Sequence, residues 1–108
     1  MNMKSGPDEQ AVKMRVPGDL VSTNAEAVRQ EIEGMLTAAE TACQKWTVLT
    51  LDLGAAKMID SVGMNLVVYL LKRVRARGAT LRVGYSNSNI LRTFTFTRLD
   101  RHVELVKI

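Results

Sequence analysis

Cys43 and His102 are the only cysteine and the only histidine in this chain. A lone cysteine excludes an internal disulfide. One Cys and one His cannot complete a structural zinc site, so the fold is expected to stand without cross-link, metal or other cofactor. That poverty of thiols fits a reduced, cytoplasmic setting. Long apolar runs are missing too. The longest, Leu66 to Leu71, has six residues, whereas a membrane-spanning helix needs about 20, so no membrane insertion is expected. The amino terminus, MNMKSGPDEQ, lacks the apolar stretch of a secretory signal.

What is present is ordinary for a folded domain. Of the 108 residues, 46% are apolar and 24% charged, a balance that favours a packed core over disorder. The length allows one domain, 1–108, and no second core. No repeat or linker divides it. The polar first ten residues, broken by Gly6-Pro7, read as frayed or as a short edge strand. The net charge is +4 and the isoelectric point about 9.6. Such a balance suits nucleic acid, an anionic surface or an acidic protein partner, and does not choose among them.

Hydrophobic periodicity organises the rest. Ala11 to Val16 alternates in part and stops at Pro17-Gly18, as a half-buried strand does. Thr23 and Glu26 have the spacing of a capping box. Ala25, Val28, Ile32, Met35, Leu36 and Ala39 then recur at helical steps, with Gly34 weakening that helix without ending it. Trp46 to Leu53 (WTVLTLDL) reads as a central parallel strand covered on both faces. A second helix is expected from about Val62 to Arg77, with Gly78 at its carboxyl end. Thr80 to Tyr85 is a strand, and Asn87 to Phe96 a short helix with Ile90, Leu91 and Phe94 on its apolar side. Thr93 to Thr97 also alternates like a strand, but is assigned to the helix. Val103 to Val106 closes as a strand. Strand and helix alternate throughout, the pattern of an α/β fold with a largely parallel sheet.

The stretch Met58-Ile59-Asp60-Ser61-Val62-Gly63-Met64-Asn65 carries the most information. Ser61 falls at or next to the start of the second helix, where a serine ordinarily serves as a cap. At 100° per residue, Met64, Val67, Leu70, Leu71 and Val74 form the core stripe. The opposite face collects Ser61, Asn65, Val68, Tyr69 and Lys72, a compact mixed patch suited to docking. Phosphate on Ser61 would meet the free N–H groups and positive dipole end of a helix. It would also put about −1.5 to −2 charges into that patch.

Ile-Asp-Ser-x-Gly entering an apolar helix resembles the signature of STAS domains, the anti-sigma factor antagonists of bacterial partner-switching systems. Leu51-Asp52-Leu53, Arg77-Gly78-Ala79-Thr80-Leu81, Ile90, Arg92, Phe94, Leu99-Asp100 and the Gly18-Asp19-Leu20 turn resemble further parts of the family, from about Ala11 to Leu105. The resemblance implies a single STAS-type domain with a mixed, mostly parallel sheet packed by three or four helices. It implies a non-enzymatic switch: the unphosphorylated protein binds a kinase anti-sigma factor with a histidine-kinase-like ATPase fold, phosphorylation of Ser61 releases it, and a PP2C-type phosphatase restores it. Asp60 would shape the acceptor loop and Gly63 would allow close backbone approach. Val62, Asn65, Val68, Tyr69, Lys72, Ser22 and Thr23 complete the expected partner-binding set. The chain also departs from the pattern. Val62 replaces a second hydroxyl common after the acceptor, Val21 stands where relatives often have an aspartate, and Arg98 replaces a glycine.

Three rival readings compete with this one. Ser61, Asp100 and His102 follow the chain order of an α/β-hydrolase triad. However, Ile59 occupies the place of the elbow's first glycine, and the chain is too short for that fold with a substrate pocket. Lys72, Arg73, Arg75 and Arg77 form a basic helix end, which the macrodipole already explains, and no recognition motif for nucleic acid accompanies it. A non-switching STAS subunit that braces an ATPase or a transport assembly stays within the family and is the alternative.

Overall fold

The computed structural model describes residues 11–41 and 46–108. The expectations for residues 1–10 and for Cys43 lie outside them. Among the described residues four strands and three helices alternate: β1 (Ala11–Arg15), α1 (Ala25–Thr41), β2 (Val48–Leu53), α2 (Ser61–Arg75), β3 (Thr80–Tyr85), α3 (Ser88–Phe96) and β4 (Glu104–Lys107), with a 3₁₀ turn, Leu99–Arg101, before β4. Every described pairing is parallel, and the strands lie in sequence order, β1-β2-β3-β4.

That order decides which face of the sheet is covered. Parallel crossovers are right-handed. Stepping always in the same direction, they lay all three helices on one face. Leu49, Leu51, Leu53, Leu81 and Val83 point to that face and share one core with Ile32, Leu36, Val67, Leu70, Ile90 and Phe94. Val48 on the other face is buried too, but among the described residues no helix lies there, which corrects the expectation of two-sided cover to helices on one face of β2. Its alternate residues Thr50 and Asp52 are half-buried beside Lys13, Arg82, Val106 and Ile108. Among the described residues the sheet has no point at which strand order reverses, which is where open α/β sheets usually seat small ligands.

The helices form where periodicity places them, but their starts differ in detail. In α1 the buried residues are Ala25, Val28, Ile32, Leu36 and Ala39, with Met35 partly covered. Thr23 and Glu26 do not make a capping box. The Glu26 carboxylate accepts from Arg29 and Gln30, and the chain enters α1 through a turn in which the N–H of Ala25 donates to the carbonyl of Val21 at 2.9 Å. Asn24 braces that turn, accepting from the Val21 N–H at 2.9 Å and donating to the Asp19 carbonyl at 2.7 Å. Trp46 lies ahead of β2 rather than in it. It is buried, with the Arg77 guanidinium 3.9 Å above its ring.

The basic end of α2 has a structural use. Arg73 bridges Glu33 at 2.9 Å and Glu40 at 3.4 Å, and Arg77 reaches Glu40 at 3.2 Å, so both arginines brace α2 against α1. Beyond α2, Gly78 takes a left-handed φ of +74°, which a glycine adopts without steric cost. The threonine-rich end of α3 is helical, and Thr93, Thr95 and Thr97 each satisfy their hydroxyl on the carbonyl four residues earlier. The next turn is strained: Arg98 sits at φ 63°, ψ 16°, a left-handed conformation that costs a side-chain-bearing residue about 1 kcal/mol.

Candidate functional site

Because β1 and β2 are parallel, the loops that follow them leave the sheet at the same edge. Residues 17–23 lead to α1 and residues 54–60 lead to α2. They run side by side through an isolated parallel bridge between Leu20 and Ile59. The Leu20 N–H donates to the Met58 carbonyl at 3.2 Å, and the Asp60 N–H donates to the Leu20 carbonyl at 3.3 Å.

Two aspartates lock this pairing reciprocally. Asp19 reaches from the first loop to accept from the N–H groups of Lys57, at 2.8 Å, and Met58, at 3.2 Å. Asp60 reaches back to accept from the Ser22 N–H at 2.8 Å, while its second oxygen accepts from the Gly63 N–H at 2.9 Å. Asp60 is thus both the N-cap of α2 and a strap across the loops. Ser61 is the first helical residue, not the cap. Gly63 is buried beneath the strap because a Cβ there would lie 2.3 Å from the Leu20 carbonyl oxygen. The close approach that this glycine permits is made by the chain's own backbone.

This arrangement changes one electrostatic expectation. The Gly63 N–H at the start of α2 is already engaged by the Asp60 side chain. A phosphate on Ser61 would stand beside a carboxylate rather than over empty donors. The hydrogen bond from Gly63, the largest cause, outweighs desolvation, and with the lesser hydrogen bond from Ser22 it holds the Asp60 carboxyl below its ordinary value of 3.8. A carboxyl depressed in the folded state stabilises the fold above the ordinary carboxylate range, and that contribution is lost as pH falls toward the folded-state value. The melting temperature should therefore fall on acidification below about pH 4. An Asp60→Asn variant, which offers an amide N–H where Ser22 or Gly63 already donates, should melt lower at neutral pH and show a shallower acid limb. Circular dichroism melts across the acid range would check both.

Of the residues expected at the site, Ser61 and Val62 are exposed, Asp60 is half-buried, and Ser22 is drawn to Asp60. Val62, Asn65 and Tyr69 line a shallow groove of about 190 Å³ between α1 and α2, together with Ala25, Glu26, Arg29 and Leu66. The Arg29 guanidinium lies 5.7 Å from the centre of the Tyr69 ring, and the Tyr69 hydroxyl donates to Glu33. Val68 and Lys72 continue along α2 outside the groove, and Thr23 is exposed in the turn before α1. Sequence reasoning missed the strap role of Asp19 and the contribution of α1 through Arg29. The Pro17-Gly18-Asp19 turn was the available signal for the first. Nothing local announced the second.

Met58 and Val62, 53% and 43% exposed, flank the serine with apolar surface. The hydrolase triad does not assemble. Ser61 opens α2, whereas the His102 ring nitrogen lies 2.7 Å from the Arg75 side chain at the far end of that helix, about 20 Å away at 1.5 Å per residue. Among the described residues, no group of three or more His, Cys, Asp or Glu side chains is placed to hold a metal, and no helix is long and apolar enough to cross a membrane.

Fold and site together define a small, singly wound parallel α/β domain that presents a serine at the start of its second helix from a doubly strapped loop. The chain belongs to the STAS domain family, whose model matches residues 5–108. The crystal structure of a proposed anti-sigma factor antagonist from Thermotoga maritima is similar to it, with a TM-score of 0.77 and 21% sequence identity over 91% of this chain and 80% of that one. At that identity the likeness speaks for the fold.

Proposed function

We propose that this protein is an anti-sigma factor antagonist of a partner-switching pathway, working in the cytoplasm. Unphosphorylated, it binds a kinase anti-sigma factor of the histidine-kinase-like ATPase fold through Ser61, Val62 and the groove between α1 and α2. Phosphorylation of Ser61 ends that binding, and a PP2C-type phosphatase reverses the modification. The observation that carries this reading is the presentation of Ser61: an exposed hydroxyl, flanked by exposed Met58 and Val62, at the head of a helix whose preceding loop is held from both sides by Asp19 and Asp60. A kinase needs an accessible acceptor, and a docking face needs a surface ordered before binding, because ordering it afterwards weakens affinity. Phosphate beside the Asp60 carboxylate would concentrate negative charge where a partner must remove water, which disfavours binding by repulsion and desolvation.

The test is phosphopeptide mass analysis of the protein purified from its native cells. Trypsin releases Met58 to Lys72, in which Ser61 and Tyr69 are the only hydroxyl side chains. The expected result is phosphate on Ser61 in a fraction that changes with growth condition. A peptide never phosphorylated under any condition would overturn the switch and favour a permanent STAS subunit of an ATPase or transport assembly, recoverable as a stable complex.

A further inference from the structure

The opposite end of the domain carries a second surface that the Ser61 reading does not use. Strands run up toward the acceptor loops and helices run back down, so α2 and α3 both end at the lower edge, where the 3₁₀ turn leads into β4. Phe96, the last residue of α3, is 88% exposed. Arg92 lies one helical turn before it, on the same face. Arg98 and Arg101 follow within a tight turn closed by hydrogen bonds from Arg98 N–H to the Thr95 carbonyl and from Arg101 N–H to the Arg98 carbonyl. Among the described residues, none of these three arginines has an ion-pair partner, whereas Arg73, Arg77 and Arg82 of the same chain all do. Asp100 is the one acidic residue within the turn. Arg98 holds a left-handed conformation that a glycine would occupy without strain, so the arginine is present there at some expense to the fold.

We propose that this corner is a peripheral docking surface for an anionic lipid bilayer. An aromatic ring standing clear of the protein, with arginines that have no ion-pair partner on its own helix and in the turn that follows it, matches the two layers that a bilayer offers together. The ring enters the boundary between headgroups and acyl chains, and the arginines meet lipid phosphates, which their planar forks bind bidentately. A bilayer requires no preformed pocket, and Phe96 is largely exposed. Because the corner lies at the opposite end of α2 from Ser61, a membrane-bound domain would leave its acceptor loop facing away from the lipid, free for a protein partner. This inference does not depend on whether Ser61 is phosphorylated.

The experiment is co-sedimentation of the full chain with sucrose-loaded vesicles of phosphatidylglycerol and phosphatidylcholine (3:7) against phosphatidylcholine alone, at low and at physiological salt. Binding is expected only to the anionic vesicles, and weaker as salt rises. Phe96→Ser should weaken it about tenfold by removing the inserted ring. Arg98→Gly should weaken it about fivefold, the value of one arginine at an anionic surface, while raising the melting temperature by relieving the strained turn. That opposition of stability and binding is not expected of a residue that merely shapes the turn. Equal binding to both vesicle types, no binding at low salt, or a Phe96→Ser variant that binds as wild type would each overturn the proposal. So would displacement from the vesicles by a random DNA duplex at lower phosphate concentration than the lipid supplies, which would mark the corner as a nucleic-acid face.

Discussion

Gly63→Ala should unfold this domain more readily than its size suggests. In an exposed helix the change would stabilise by up to about 1 kcal/mol, because alanine is the better helix former. Here the added methyl would lie 2.3 Å from the Leu20 carbonyl oxygen and 2.8 Å from Ile59 Cγ1. The carbonyl cannot simply retreat, because it accepts from the Asp60 N–H. Moving it breaks the Leu20–Ile59 bridge and pulls Ser22 from Asp60. Overpacking of this kind, with buried hydrogen bonds lost, costs about 3 kcal/mol. For a domain of this length that lowers the melting temperature by about 12 °C or more. Gly34→Ala is the control. It lies in α1, where an added methyl would meet no atom within 4 Å, and should stabilise by about 0.5–1 kcal/mol. Urea or thermal denaturation of the two variants should move in opposite directions. Equal small effects would show that the two loops are not held at Leu20 as described.

Ser61→Asp should have the largest effect on binding with the smallest effect on the fold. The side chain is exposed in the first turn of α2. There an acidic group gains from the helix dipole and loses from its neighbour Asp60, two contributions of similar size and opposite sign. The melting temperature should stay within a few degrees of wild type. Binding to the proposed kinase partner, once purified, should fall by about 100-fold, the scale expected for a charge buried unpaired in an interface. Ser61→Ala should bind as wild type and resist release by ATP. Titration calorimetry of the three proteins against that kinase separates the cases. An Asp variant that binds normally would remove the switch, and one that unfolds would make Ser61 a structural residue.

Legibility in the sequence followed the range of the interaction involved. The core stripes of both long helices are local facts. A residue every three or four positions must face the same way, and Ile32, Leu36, Val67, Leu70 and Val74 are all fully buried. The motif around Ser61 is equally local and placed the helix start within one residue. What escaped was action across the gap between two loops. Asp19 and Lys57 are 38 positions apart, as are Ser22 and Asp60. No periodicity connects such residues, so Asp19 read only as part of a turn and Asp60 only as a residue shaping the acceptor loop. The capping box failed for a related reason. Glu26 has the right spacing to reach back to Thr23, but Arg29 and Gln30 compete for the same carboxylate from the next turn.

By itself the sequence determined the alternation of strands and helices, the apolar face of each helix, and the exposed serine at the head of the second one, because these depend on the chain's fixed geometry over one or two turns. Only the tertiary structure decided that the described strands are wound in one direction with their helices on one face, that Asp60 rather than Ser61 caps α2, and that Gly63 yields its space to Leu20. Each of those outcomes depends on which distant segment arrives alongside. That is settled by closing parallel crossovers around a single core, not by any property of the residues read in order.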